Sequence, residues 1–516
     1  MNILFASFNE NWHVDVLSGL SDKCNAKKVV SFSTINHCID SKDCEYKWID
    51  SNPFYKHKHD MNSRHIMPDV DEKVLNELAS CERMYMKMLD RAEVLFSRKI
   101  SYEERKSFYY QDLQELMFFL NETAFDLCVF SNIPHISFDY LLYSLCKVMH
   151  ISISIAYQGM IVPGVSVTSY FMKDYKEPFP ELNGIKYRCN EHNVELPPRV
   201  QACIDYYDRD KKDIKTVLDY ADFWIEPERR SYWRLILNRF NEGRLLSTIM
   251  RKLHRQYECI RRKRFFNKNC EKIDLNADYI YFPLHFQPEC TSVPMGGVYG
   301  DQFLIINQIS SLLPTGKWLY VKPHPFNSYV DEMPLYKHIL TLPNVKLINP
   351  HDNTYDLIDN CAAVASITGT VICESLVRGK PAMMYGYYMW QYAPGVFACR
   401  EWEDCKKAIE KIFETRELVK RVDLIAFLRD VDKYLYTGSL FESTLKMFKL
   451  SKEENINNMI EGYYENIKSQ GLLSSVKIKF ECKNCICSSD NSVCFKGYWL
   501  CKRISNSVLL WNEHSG

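Results

Sequence analysis

Residues 279–285 read YIYFPLH, and a helical pattern over Asp301–Leu313 leads from them to a second apolar run, KWLYV, at 317–321. Short apolar runs that alternate with helical patterns are typical of parallel strands joined by crossover helices. The alternation continues through strands predicted at Val345–Ile348, Ala362–Ile367 and Pro381–Tyr385 and helices predicted at Thr354–Cys361 and Gly369–Arg378. The sequence therefore predicts an α/β domain with an open parallel sheet in this half of the chain.

The first half of the chain carries a weaker form of the same pattern. Residues 2–8 form an apolar run ahead of a helical pattern, and two further strands are predicted at Phe125–Ser131 and Ile151–Tyr157, with a helix from about 137 to 149 between them. The charged stretch from 70 to 122 has the spacing of helices. Since strand, helix and strand in this order form the crossover unit of a parallel sheet, a second α/β domain is predicted here.

The fold class that these patterns predict is α/β, with two Rossmann-like domains facing a cleft. The predicted segments are an N-terminal domain over 1–240, a basic helical connector over 241–277, a C-terminal domain over 278–425, and a helical extension with a cysteine-bearing tail over 426–516. Ligands of open parallel sheets bind beyond the carboxyl ends of the strands. The functional residues are therefore expected on loops that follow strands.

The composition excludes several classes of protein. Lys and Arg together number 65, as do Asp and Glu, so no net charge attracts nucleic acid or anionic lipid. The 20 cysteines are scattered through a long chain, many inside apolar runs such as Leu127–Val129, and are expected to be buried thiols. With no leader pattern at the N-terminus and no run of about 18 uncharged apolar residues, the chain is expected to be cytoplasmic.

One candidate for phosphate binding is Lys322-Pro323-His324-Pro325, which directly follows the strand predicted to end at Val321. Prolines on both sides restrict the backbone of His324 at the carboxyl end of this strand. Its imidazole can donate a hydrogen bond to a phosphate oxygen, and Lys322 can add positive charge. The alternative is a turn in which the histidine only closes the loop.

A second candidate, Ser366-Ile367-Thr368-Gly369-Thr370, lies between a predicted strand and a predicted helix. Small residues at such a junction leave backbone N–H groups available to an anion. Glu374 follows Thr370 by four residues, on the same helical face, where it can accept hydrogen bonds from a ribose. Serine and threonine also cap helices routinely, so a purely structural role is the alternative.

Two further loops carry polar residues that are expected to face the cleft. Gln287 and Glu289 follow the first strand of the C-terminal domain, where they can bind a hydroxyl or a carboxylate; a solvent-exposed loop is the alternative. His135 and Asp139 follow a strand of the N-terminal domain, four residues apart, and can share one helix face for acid–base or nucleophilic chemistry. A capping histidine with a surface aspartate is the alternative there.

These motifs resemble those of a known family. Lys322–Pro325, the pattern from Ser366 through Glu374-Ser375-Leu376, and Gly379-Lys380-Pro381 look like the bacterial capsule polysaccharide biosynthesis proteins, which include the Kdo transferases of capsule assembly. The resemblance covers about residues 279–395. It implies a GT-B fold whose C-terminal domain binds a nucleotide sugar, often CMP-linked, and that His324, Thr368, Gly369, Thr370 and Glu374 hold this donor. The His-Pro pair is shared with bacterial sialyltransferases, in which the histidine contacts the CMP phosphate.

The predicted function is glycosyl transfer without a metal ion or a separate cofactor. The donor is a nucleotide sugar, with a CMP-linked ulosonic acid such as Kdo or a nonulosonate favoured, and the acceptor is a surface polysaccharide or a lipid-linked glycan. The predicted donor-binding residues are Lys322, His324, Pro325, Ser366, Thr368, Gly369, Thr370, Glu374 and Gln287, and the predicted catalytic residues are Asp139, His135 and Glu289. The alternatives are a polyol-phosphate transferase that uses CDP-glycerol, and a non-catalytic polysaccharide assembly or export factor.

Two segments outside these loops leave further alternatives open. Arg251–Lys268 carries eight Lys or Arg against one Glu, interleaved with aromatic residues. Such a stretch indicates either peripheral contact with the cytoplasmic face of the inner membrane or a solvated interdomain helix, and no nucleic-acid motif accompanies it. The tail has one CxxC pair, Cys482 and Cys485, with Cys487, Cys494 and Cys501 at irregular spacing, whereas a structural zinc site usually needs two such pairs.

Overall fold

The computed structural model describes residues 1–37, 39, 44–57, 70–96, 98–162, 166–187, 196–208, 257–258, 260–325, 332–416, 418–448 and 450–473. Residues 1–470 form one compact unit that holds two sheets and the helices around them. We call the first sheet with its helices the N-terminal body and the second sheet with its helices the C-terminal body.

The N-terminal body is built on a seven-stranded sheet. Its strands are β1 (Asn2–Ala6), β2 (Lys28–Ser33), β3 (Glu45–Asp50), β4 (Leu127–Phe130), β5 (Ser152–Val162), β6 (Ser166–Met172) and β13 (Tyr436–Thr437), in the spatial order β13-β6-β5-β4-β1-β2-β3. The strands from β3 to β5 pair in parallel, whereas β6 and β13 pair antiparallel at one edge. The described helices of this body before residue 208 are His13–Lys23, Asn52–Lys56, Glu72–Phe96, Tyr102–Glu122, Ser137–Val148 and Pro198–Tyr207.

The C-terminal body is built on a six-stranded, fully parallel sheet. Its strands are β7 (Tyr279–Pro283), β8 (Trp318–Lys322), β9 (Val345–Leu347), β10 (Ala363–Ser366), β11 (Ala382–Met384) and β12 (Val396–Ala398), in the order β12-β11-β10-β7-β8-β9. The helices along it are Gln302–Leu312, Met333–Ile339, Thr354–Asn360, Val371–Val377, Trp402–Thr415 and Arg421–Asp432. Neighbouring residues of one strand pack into different cores, as Tyr281 and Phe282 do, because both faces of the sheet are covered.

The last part of the described chain returns to the N-terminal body. After the helix Glu442–Phe448, the helix Lys452–Ser469 packs beside β5 and β6, where the Tyr463 hydroxyl donates to the Phe130 carbonyl at 2.8 Å. This close approach requires Gly462, because a Cβ atom there would lie 1.8 Å from Cε2 of Phe171. The sequence predicts helices after residue 403 but not this return.

The predicted α/β fold class is confirmed: the described chain holds two sheets with helices packed on them, of which the N-terminal one is parallel except at the β6–β13 edge and the C-terminal one is fully parallel. The crossover from β4 through Ser137–Val148 to β5 has the predicted parallel pairing. Strands β2, β3, β6, β12 and β13 are not predicted from the sequence, and β5 runs on to Val162, beyond its predicted end at Tyr157. The predicted domain boundaries stay predictions.

The basic stretch Arg251–Lys268 is described at 257–258 and from 260 onward, where it is helical to residue 269. Arg262 is 8% exposed, donates to the Tyr336 hydroxyl at 3.2 Å and lies 3.7 Å from the Glu332 carboxylate. Phe266 is also buried in the core of the C-terminal body, whereas Lys263 and Arg264 are exposed. Among the described residues of this stretch, part is therefore core, and Lys263, Arg264 and Lys268 face solvent.

Three further features bear on function. Along the described ranges, no helix has both the length and the hydropathy needed to cross a bilayer. In that same part of the chain, no group of three or more His, Cys, Asp and Glu residues has the geometry of a metal site. The twelve described cysteines are free thiols, nine of them buried. The tail cysteines from Cys482 onward lie outside the described residues.

Candidate functional site

The strand order of the C-terminal sheet changes direction between β7 and β10. Strands β8 and β9 extend the sheet on one side of β7, whereas β10, β11 and β12 extend it on the other. The loops after the two central strands diverge at such a point and leave a crevice in which α/β proteins bind ligands. Here the loop after β7 contains His285, and the loop after β10 spans Ile367–Thr370.

His285 lies between these two loops. Its Nε2 is 3.0 Å from Ser366 Oγ and accepts from the backbone N–H groups of Ile367 and Thr368 at 3.3 and 3.5 Å. The ring proton therefore belongs on Nδ1. Burial lowers the pKa of His285 to about 4, and the nearby His324 acts in the same direction, so the ring is neutral near pH 7.

Hydroxyl and N–H donors thus converge at the head of the loop after β10. Gly369 adds its own N–H, which donates to Ser366 Oγ at 3.1 Å, and a Cβ atom at this position would lie 2.8 Å from the same oxygen. In the structure these groups donate to His285 Nε2 and Ser366 Oγ, and a bound anionic oxygen would take the place of these acceptors. No role for His285 is predicted from the sequence, because a histidine that follows a strand has no distinctive spacing. Its contacts with Ser366 and Thr368 become visible only in the fold.

Lys322 and Glu374, both predicted to hold the donor, are buried on one side of the crevice. The Lys322 ammonium donates to the Asp352 carbonyl at 2.6 Å and to the Thr354 hydroxyl at 2.8 Å. Burial lowers the pKa of Lys322 to about 8, against the opposing charges of Asp352 and Glu374. Burial raises the pKa of Glu374, whereas the hydroxyl of Thr370, 3.1 Å from Oε1, and nearby cations lower it. Glu374 thus interacts with Lys322 and Thr370, and Ser366 interacts with Gly369 and His285.

His324 and Pro325 lie at a separate cavity of about 220 Å³. The His324 ring packs against Phe286 with centroids 5.6 Å apart, and the cavity is completed by Asn349–His351 and by the helical residues 262–267. His324 also contributes to the lowered pKa of His285, so the two rings lie near each other. The Gln287 amide, also predicted to bind the donor, donates to the Gly300 carbonyl within its own loop.

The three predicted catalytic residues meet around Arg91, which no sequence motif indicates. Arg91 lies on the helix Glu72–Phe96, where its Nη1 donates to the His135 carbonyl at 2.7 Å and its Nε donates to the Pro288 carbonyl at 3.1 Å. One guanidinium therefore joins the N-terminal and C-terminal bodies. Its charge also acts on Asp139 from one side and on Glu289 from the other.

Asp139 is buried, 3% exposed, and is not the surface aspartate of the alternative interpretation. Its Oδ1 accepts the Ile136 N–H at 2.9 Å, a helix-capping contact, and the Ser7 hydroxyl lies 3.3 Å from its Oδ2. Burial raises the pKa of Asp139 to about 7, against these hydrogen bonds and the charge of Arg91. Asp139 can therefore exchange a proton near neutral pH.

The other two residues of this group differ from Asp139. His135 donates from Nδ1 to the Ile133 carbonyl at 2.7 Å, and burial together with Arg91 lowers its pKa to about 4, so it is a neutral ring near pH 7. Glu289 reaches solvent at the rim of the cleft; the surrounding cleft walls raise its pKa, whereas the Thr291 hydroxyl and Arg91 lower it. With a pKa of about 7, Asp139 is suited to act as a general base near neutral pH.

Two α/β bodies that face each other across such residues define a fold of GT-B type. No family model matches the chain, and no curated protein matches it. Among solved structures, the chain is similar in fold to KpsC, the β-Kdo 2,7-transferase of Thermosulfurimonas dismutans, with 12% identity, coverage of 76% of this chain and 97% of that chain, and a TM-score of 0.28.

Two other solved structures show the same level of likeness. UDP-GlcNAc 2-epimerase of Methanocaldococcus jannaschii, in complex with UDP-GlcNAc and UDP, has 12% identity over 84% of this chain and 100% of that chain, with a TM-score of 0.25. The UDP-forming α,α-trehalose-phosphate synthase of Burkholderia vietnamiensis has 8% identity over 92% and 99% of the two chains, with a TM-score of 0.26. With TM-scores this low, function has to be argued from the residues of this chain.

Proposed function

We propose that the chain is a GT-B glycosyltransferase that moves a sugar from a nucleotide donor to a glycan acceptor, with a CMP-linked ulosonic acid as the favoured donor. The observation that carries this proposal is the pairing of two unlike groups at the carboxyl ends of strands. Converging hydroxyl and N–H donors surround His285 in the C-terminal body, and Asp139, a buried carboxyl with a pKa of about 7, follows β4 in the N-terminal body. Displacement of a nucleotide from a sugar is assisted by donors that hold the departing phosphate and by a base that takes the proton of the acceptor.

The proposed reaction divides its work between the two bodies. An acceptor hydroxyl oxygen forms the new bond to the anomeric carbon, the bond from that carbon to a phosphate oxygen breaks, and the nucleotide leaves with the electron pair. Asp139 accepts the proton of the acceptor hydroxyl. The Ser366 hydroxyl, the N–H groups after β10 and His324 stabilise the charge on the departing phosphate. No metal ion or separate cofactor forms part of the proposal.

The proposal extends to the place of the reaction. We propose that the acceptor is a surface polysaccharide or a lipid-linked glycan and that transfer occurs in the cytoplasm. For a lipid-linked acceptor, the exposed Lys263 and Arg264 of the basic helix are the cations that would meet an anionic membrane.

The donor site is tested by nucleotide binding. We expect CMP to raise the melting temperature more than CDP, UDP or GDP does, because a ligand that binds only the folded state stabilises it. His324→Ala and Ser366→Ala are each expected to weaken CMP binding about ten- to hundredfold, the effect of losing one hydrogen bond to a charged group.

The matched control for this experiment is His338→Ala, since that ring stacks on Phe303 at 4.0 Å and pairs with Asn307 rather than with a predicted donor-binding residue. It should leave the dissociation constant of CMP unchanged. Unaltered CMP affinity in folded His324→Ala and Ser366→Ala variants would contradict the donor site. Stabilisation by CDP-glycerol in preference to CMP-linked sugars would favour the polyol-phosphate transferase instead.

A further inference from the structure

A second cavity, of about 130 Å³, lies between the two bodies. We call it the tyrosine cavity, because five of its lining residues are tyrosines: Tyr140 and Tyr175 from the N-terminal body and Tyr299, Tyr385 and Tyr387 from the C-terminal body. Tyr175 and Tyr387 meet edge to face across the cleft, with ring centroids 6.4 Å apart. The cavity is therefore completed by both bodies.

The charge of this cavity has one sign. Arg83, Lys176 and Arg400 line it, and no described lining residue is Asp or Glu. Arg400 is fixed by three acceptors, the carbonyls of Met384 and Gly386 and Oε1 of Gln391, at 2.7 to 2.9 Å, and it lies 4.4 Å from the centre of the Tyr387 ring. A local excess of three cations stands out in a chain whose Lys and Arg equal its Asp and Glu at 65 each.

Arg83 and Lys176 remain available to a ligand. Arg83 is exposed on the helix Glu72–Phe96, and Lys176 follows β6 with its ammonium 5.6 Å from the centre of the Tyr387 ring. Across the described ranges, neither side chain forms an ion pair with a carboxylate. Cations that cluster without counter-charges in a cleft attract an anion.

The cavity lies beside the proposed reacting groups. Tyr140 directly follows Asp139 in the helix Ser137–Val148. On the other side, Gly386 precedes Tyr387 and lies so close to the donor loop that a Cβ atom there would be 2.6 Å from the methyl carbon of Thr368. Two residues that line the cavity, Tyr140 and Tyr387, are therefore chain neighbours of the proposed base and of the glycine that packs on the donor loop.

We propose that the tyrosine cavity binds an anionic sugar unit of the acceptor glycan. Its carboxylate or phosphate pairs with Arg83 and Lys176 at the cavity mouth, and the apolar face of its ring packs on the tyrosine rings. The assignment of this sugar to the acceptor rests on the proposed glycosyltransferase function. The binding of an anionic sugar in the cavity does not depend on that function.

The test is direct binding, measured without the donor. The probes are a glucuronate-containing hyaluronan tetrasaccharide, the same tetrasaccharide with its carboxylates reduced to hydroxyls, and glucose 6-phosphate, each titrated by NMR. We expect an anionic probe to bind the native chain at least about tenfold more tightly than the neutral tetrasaccharide, and this preference to shrink as salt is raised. A preference for the tetrasaccharide identifies a carboxylate sugar, and a preference for glucose 6-phosphate identifies a phosphorylated one.

The Arg83→Gln/Lys176→Gln variant should weaken anionic binding about ten- to hundredfold. The control Lys73→Gln/Lys173→Gln removes the same charge from exposed positions of the same helix and the same loop, and it should bind as the native chain does. Equal binding by both variants, or no preference for any anionic probe over the neutral one, would overturn the proposal. CMP binding, measured on the same samples, tests the proposed function separately, because neither variant touches the donor crevice.

Discussion

Asp139→Asn is expected to lower turnover about 10³-fold, within the range that a positioned general base contributes, while the dissociation constant of CMP stays within about twofold. The reason is that Asp139 is buried and has a pKa of about 7, so it can take up the proton of the acceptor hydroxyl near neutral pH. Asparagine keeps an oxygen for the Ile136 N–H, so the helix cap is retained. The measurements are turnover with donor and acceptor, and CMP titration of the same protein.

The pH dependence gives an independent reading of the same residue. Because a base acts when deprotonated, kcat/KM of the native chain should rise as pH climbs through about 7, and the Asn variant should lack this acidic limb. Stability changes with pH in the opposite direction. Burial raises the pKa of the Asp139 carboxyl from 3.8 in the unfolded chain to about 7 in the folded one. The contribution of this carboxyl to stability is therefore present at low pH and is lost as the pH rises between these two values.

A capping role alone would give a different result. If Asp139 only orders the helix Ser137–Val148, the Asn variant keeps near-normal turnover and an unchanged pH profile. Glu374→Gln is the informative comparison, because Glu374 lies in the donor crevice, 3.1 Å from the Thr370 hydroxyl, and its loss should mainly weaken CMP binding. Similar losses of turnover and affinity in both variants would contradict the assignment of the base to the N-terminal body.

The sequence reveals more of the C-terminal body than of the N-terminal one, and the reason is physical. Strands such as β7 and β10 are buried on both faces, so they appear as continuous apolar runs. By contrast, β3 reads EYKWID and is only partly buried, and β13 has two residues, so neither gives an apolar run. The return of the helix Lys452–Ser469 depends on Gly462 meeting Phe171, a contact between residues far apart in the chain.

The residues of the candidate site also fall into those that the sequence predicts and those that only the fold reveals. Residues with a local signature, such as His324 between two prolines or the loop Ser366–Thr370, are predicted because the signature lies within a few positions. His285 contacts Ser366, 81 positions away, and Arg91 donates to the carbonyls of His135 and Pro288, 44 and 197 positions away. No local sequence pattern encodes contacts over such separations. Glu289 and Asp139 are predicted separately, from opposite halves of the chain, and only the fold brings both within reach of one arginine.

Arg91→Ala is expected to lower turnover about 10²- to 10³-fold, because a hydrogen bond to the C-terminal body, a hydrogen bond to the His135 carbonyl and a cation that acts on Asp139 are lost together. The carbonyls of His135 and Pro288 lose their donor, so the bodies no longer hold Asp139 and Glu289 in a fixed relation. Since the charge of Arg91 lowers the pKa of Asp139, its removal should also move the acidic limb of kcat/KM to higher pH.

Arg91→Lys separates the two effects. A lysine keeps the positive charge but lacks the planar fork that reaches both carbonyls, so turnover should fall while the acidic limb stays near its native position. The control is Arg98→Ala, since Arg98 is exposed near the end of the same helix and pairs with Glu104. It should leave both turnover and pH profile unchanged. A purely structural role for Arg91 predicts a lower melting temperature with no shift of the limb in either variant. An acidic limb of kcat/KM that moves to higher pH in Arg91→Ala and keeps its pH in Arg91→Lys would show that the charge of Arg91 sets the pKa of Asp139. Arg91 would then both hold the two bodies together and control the protonation of the base.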